Sequence, residues 1–225
     1  MIYIIPTKRG VGCELWGTYE DLFNLYEVIG KFWNDQNQAN IKGLENRDQL
    51  ISGFSYEIRK AKDGSRLTRT HSHFFHESIP YFGVQISWVH FLFSLTAIKF
   101  NMRIYETNKF DVSTILQLEF WLERAMVSFD QTGGEKLAGY ISDGIYAGNP
   151  YLYQFMRSIN LDFFKLGGGK IAFRKLPQLM QRSVYLTEEY NEYLSFLTGE
   201  AKRLNCKIDD LELSDEEFDY EGIKW

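Results

Sequence analysis

The sequence predicts an α+β domain: a small antiparallel β part with one helix at the N-terminal end, followed by a part of about five helices. Three observations predict it. Residues 1–5 and 11–16 are short apolar runs separated by the turn-prone KRG, which reads as two strands. FSYEIRKA and SRLTRTH flank Asp63-Gly64, and a DG pair between two β-prone runs reads as a second hairpin. From Ser87 onward the apolar residues recur at helical spacing.

The elements follow in order. Thr18-Tyr-Glu-Asp21 resembles a capping box, and Leu22, Leu25, Tyr26, Ile29 and Trp33 recur on one stripe, so a helix is expected over about 19–33. The polar run NDQNQANIKG, residues 34–43, is the clearest loop. A further helix starts near Asp111. Asn149-Pro150 reads as N-cap and first helical residue of another, which ends at the three glycines 167–169. Thr187 caps the last, with Tyr190, Tyr193, Leu194, Leu197, Ala201 and Leu204 on one stripe. The expected organisation is one globular domain over residues 1–205, β-rich over 1–86 and α-rich over 87–205, with an acidic extension over 206–225.

Composition sets the class. A chain of 225 residues with 18 Phe, 14 Tyr and 5 Trp can fill a dense core without staples and still have aromatic residues left for a surface. Its 2 cysteines, Cys13 and Cys206, form no CxxC, which fits a reducing cytoplasm. The apolar run before Pro6 is too short for a signal-peptide core. Residues 78–98 carry no formal charge, but Pro80, Gly83, Gln85, Ser87, His90 and Ser94 interrupt them, so no membrane span is expected. The net charge of −5 is concentrated after Cys206, where eight acids face Lys207 and Lys224. Such a run reads as a solvated extension, although Leu211, Leu213, Phe218, Tyr220 and Trp225 give part of it a face with which to dock.

The run GTYEDLFNLYEVIG, residues 17–30, followed by FSYEIRKAKDG, residues 54–64, resembles an uncharacterised family of bacterial single-domain proteins in which a short hairpin leads into a "YEDLxxLY" helix. The resemblance spans about the first 105 residues. It implies a bacterial, cytoplasmic setting and brings no activity or site residue with it.

Four groups of residues carry chemistry. THSHFFHES holds His71, His73 and His76, and an HxH pair on a strand can present two imidazoles to one divalent metal, the only cofactor for which the sequence offers ligands. No HExxH fixes a third ligand. Ser87, His90, Ser94 and Asn101 fall on one polar stripe of an otherwise apolar helix, opposite Thr96, Lys99 and Arg103, so that stripe is expected to face inward or toward an interface. Arg59, Lys60, Lys62, Arg66 and Arg69 form one basic segment, over 59–69. Lys170, Arg174 and Lys175 belong to a second, over 165–182; together the two could track a phosphate backbone. Glu119 and Glu123, four apart, share a helix face. Lys165-Leu-Gly-Gly-Gly-Lys170 fails the phosphate-loop pattern, because Ile171 replaces the hydroxyl residue, and no GxSxG elbow occurs.

These features favour a non-catalytic interaction protein with a protein partner or a second copy of itself. A metal-dependent hydrolytic enzyme using the histidines and a nucleic-acid binder using the basic segments are the alternatives.

Overall fold

A computed structural model describes residues 1–33, 41–72 and 78–225, the side chains of 71 and 72 excepted. It is an α+β fold in which a four-stranded antiparallel sheet precedes a run of helices. Strands β1 (Tyr3–Pro6), β2 (Gly12–Gly17), β3 (Leu67–Ser72) and β4 (Ser78–Ser87) lie in the order β1-β2-β4-β3. Side chains alternate across a strand, so Ile4, Cys13, Leu15, Val84 and Ile86 share one face, and all are buried. Helices α1 (Tyr19–Gly30) and α2 (Leu44–Lys62) cover that face. Thr18 closes the expected capping box with Asp21.

The FSYEIRKA segment departs from expectation. It belongs to α2 and not to a strand, so the N-terminal part has two helices. Phe54, Tyr56 and Ile58 alternate as a strand would, but Leu50, Phe54, Ile58 and Ala61 also recur at helical spacing, and those four are fully buried. Asp63-Gly64 therefore ends a helix: Gly64, at φ 73°, and Ser65 donate back to the Ala61 and Lys60 carbonyls at 2.8 and 2.9 Å. The partner of β3 is β4, with Arg69 opposite Tyr81.

The uncharged run is divided between β4 and α3 (Trp88–Asn101), and among the described residues no helix is long and apolar enough to cross a membrane. Helix α3 is the buried axis of the molecule; Trp88, Phe91, Leu92 and Phe93 have no exposed surface. Against it pack α4 (Lys109–Phe129), α5 (Gln131–Ser142) and α6 (Leu152–Lys165); α7 (Lys170–Met180) lies on α5 and α6, and α8 (Glu188–Leu204) sets Tyr190 and Tyr193 against Phe155 of α6. That makes six α-helices in this part among the described residues. Thr187 caps α8 by accepting from the Tyr190 amide. Helix α6 starts later than Asn149-Pro150 suggests: Asn149 accepts from the Tyr151 amide at 2.9 Å, forming a turn ahead of the helix.

Two long-range clamps tie the ends of the chain in. The β1–β2 turn meets the triple-glycine turn, where Arg9 donates to the Gly167 carbonyl at 3.0 Å and accepts from the Gly169 amide at 2.5 Å. The acidic segment docks along α6: Gln154 donates to the Leu211 carbonyl at 2.9 Å, Asn46 to Asp209 at 3.0 Å, and the rings of Phe218, Tyr220 and Trp225 surround Phe164 at 6.1, 6.4 and 6.3 Å.

Candidate interaction surface

Helix α4 starts from a fully formed cap. Asn108 accepts from the Phe110 and Asp111 amides while Asp111 accepts from the Asn108 amide, closing a capping box. Asp111 is buried, and Lys31 at the end of α1 reaches it at 2.7 Å. Along the helix Ile115, Leu118, Leu122, Ala125 and Met126 form the buried stripe, packed toward β1 and α5. Glu119, on its border, holds Lys99 of α3 at 2.6 Å.

A second apolar stripe remains. Val112, Leu116 and Phe120 lie four residues apart, each step advancing about 40° around the helix, and they are 40%, 56% and 56% exposed. Phe110, also exposed, flanks the first turn. Lys109 and Glu123 bound the stripe at its two ends; both are exposed, and neither makes an ion pair among the described residues. Helix α4 thus has one apolar face in the core and a second in water. Sequence reasoning missed it, although the i, i+4, i+8 signal was present, because Ile115, Leu118 and Leu122 make an equally good stripe and periodicity alone does not say which is covered.

The sequence-derived candidates fall elsewhere. His73 and His76 lie outside the described residues, and of His71 only the backbone is described, opposite Ile79 in the β3–β4 pair. Among the described residues no group of three His, Cys, Asp or Glu could hold a metal ion. His90 belongs to α3, with Nε2 directed toward Gly53 of α2. Burial pushes its imidazole down to about 4, with the Glu57 charge opposing the effect.

The polar stripe runs into the interior as hydrogen-bonded structure. Ser87 caps α3 and donates to Asn160 at 2.6 Å. Ser94 donates to the Leu50 carbonyl at 3.4 Å, and Asn101 accepts from Arg47 and donates to the Phe32 carbonyl. Ser87, Ser94 and Asn101 thus each have a hydrogen-bond partner, as burial demands.

The basic residues are largely engaged within the chain. Arg66 grips Glu57 through two bonds of 2.8 and 3.0 Å, and Lys62 pairs with Asp63 while lying over the Tyr19 ring. Arg59 and Lys60 lie over the Tyr56 ring, and Arg69 lies over Trp16 at 4.3 Å. Arg174 grips Asp130, which with the Gly133 amide holds that carboxylate down to about 2. The segments also sit apart, on α2 and β3 in one case and, for Lys170, Arg174 and Lys175, on α7 packed against α5 and α6 in the other. Cys13 is inside the sheet layer, where burial pushes its thiol up and leaves it unreactive. A cleft of ≈ 560 Å³ opens beside Phe100, Arg103 and Tyr146, but its Lys99 is already committed to Glu119 and to the α5 carbonyls of Ile141 and Ser142.

Residues 2–225 match the family described as "Domain of unknown function (DUF6904)". The chain belongs to this family. The match takes in the acidic segment as well as the sheet and helices, well beyond the N-terminal resemblance seen in the sequence. No curated protein and no solved structure matches the DUF6904 chain.

Proposed function

We propose that this DUF6904 protein is a non-catalytic interaction protein of the bacterial cytoplasm and that the exposed stripe of α4 is its docking surface. The observation that carries the reading is the row Val112, Leu116 and Phe120, held open to water on a helix whose opposite stripe is anchored in the core. With each side chain about half exposed, the stabilisation forgone is about 1 kcal/mol for each, which a partner recovers on docking. The unpaired state of Cys13 and Cys206 fits a reducing compartment.

The test is a photo-activated cross-linker placed at position 116 in cells, with Lys202 on α8 as the control position. A discrete adduct from position 116 alone is expected. Equal yield from both positions, or none from position 116, overturns the reading.

A further inference from the structure

We infer that the partner of the α4 stripe is a second copy of this chain, docked antiparallel about a twofold axis through Leu116; the inference rests on the docking role proposed above. The stripe is complementary to itself. A twofold axis at Leu116 sets residues equally distant on either side against each other, as any isologous contact does. Val112 and Phe120 are each four residues from Leu116, so the small side chain of one copy meets the large ring of the other, twice. Lys109 and Glu123 are each seven residues away, about two helical turns and roughly 10 Å along the axis. Both lie within about 20° of the direction of Leu116, so each ammonium faces the partner copy's carboxylate.

The charge pattern also selects the direction. In a parallel pair Lys109 would face its own equivalent, as would Glu123, and both repulsions would fall at the contact. Lys109 occupies the first helical position, where the helix dipole disfavours a cation; the acid of that turn, Asp111, is buried and pairs with Lys31, and Lys109 has no ion pair among the described residues. The antiparallel pair provides one from the other copy. The contact is helix on helix, with Leu116 against Leu116 at its centre and the two ion pairs at its rim. An area carried by so few large side chains falls in the weak class, with a dissociation constant of about 10–100 µM.

The test is sedimentation velocity on the purified full-length chain from low micromolar to several hundred micromolar. The mass is expected to rise from 26.5 kDa toward twice that value. Leu116→Glu is expected to hold the chain monomeric with an unchanged circular dichroism spectrum, because the side chain is exposed in the single copy. Lys109→Glu and Glu123→Lys are each expected to weaken the dimer by about tenfold, and the double exchange to restore it. A dimer that survives Leu116→Glu, or single reversals that leave the affinity unchanged, overturns the inference. A chain monomeric at every concentration whose position 116 still cross-links to another protein overturns the inference and leaves the docking role standing. A monomer without an adduct overturns both.

Discussion

Nε of Arg47 donates to Oδ1 of Asn101 at 2.9 Å, and both residues are fully buried. This bond joins α2 to the end of α3, and the same two residues collect backbone carbonyls from three other places. Arg47 Nη1 reaches Ala147 and Lys42, and Asn101 Nδ2 reaches Phe32 at the end of α1. The guanidinium plane also lies 4.2 Å from the Phe100 ring. Arg47→Met removes the donors and leaves the Asn101 oxygen and the Ala147 carbonyl unsatisfied, a loss expected at about 3 kcal/mol in urea denaturation. Arg47→Lys keeps the charge but not the planar fork or the stacking, so it is expected to recover less than half of that. A lysine variant as stable as the parent chain would show that charge alone matters here.

The triple-glycine turn supplies a second pair of variants. Gly167 and Gly168 have φ of 74° and 80°, a region where any side chain is strained. They differ in what surrounds them. A Cβ at Gly167 meets open space, whereas one at Gly168 comes within 2.9 Å of both the Arg9 carbonyl and Val11. Gly167→Ala is therefore expected to cost about 1 kcal/mol and Gly168→Ala about 2–3 kcal/mol. Thermal unfolding of the two in parallel isolates the clamp, and equal losses would show that it contributes nothing.

The legible part of the fold was the part specified by local chemistry. Thr18 with Asp21, Thr187, and the KRG turn each fix backbone groups within a few residues, and each was readable without knowledge of the rest. Residues 54–61 were not readable in that way. Phe54 and Ile58 satisfy both periods, and the deciding factor was that α1 and α3 pack against α2, a relation between distant segments. The same holds for α4, whose two apolar stripes are equivalent until β1 and α5 cover one of them. The histidine run stood out chemically, yet two of its three members lie outside the described residues, and His90 is committed to the α2–α3 contact.

His90 gives a pH dependence. Its imidazole titrates at about 4 in the folded chain and near 6.5 when exposed, so between those values the unfolded chain binds more protons. Stability from this group is complete above about pH 6.5 and is lost as the pH falls toward 4. The residue is half-buried, which discounts the roughly 3 kcal/mol implied by the whole shift to about 2 kcal/mol. His90→Gln is expected to flatten the stability profile across that window. A variant whose slope between pH 4 and 6.5 matches the parent chain would place the dependence elsewhere.

The acidic segment is held by apolar contacts more than by charge. Asp215 lies 3.9 Å from Arg157, at the limit of an ion pair, and such a contact contributes under about 0.5 kcal/mol. The rings of Phe218, Tyr220 and Trp225 instead converge on Phe164, and Leu211 is buried beneath Gln154. Phe164→Ala removes the side chain common to those three contacts. Limited proteolysis is expected to cut residues 212–225 of that variant at least ten times faster than in the parent chain, while the helices stay resistant. Arg157→Ala is expected to change the rate less than twofold, and raising the salt concentration should have little effect. If salt or Arg157→Ala releases the segment while Phe164→Ala does not, the docking is electrostatic and the ring cluster is incidental.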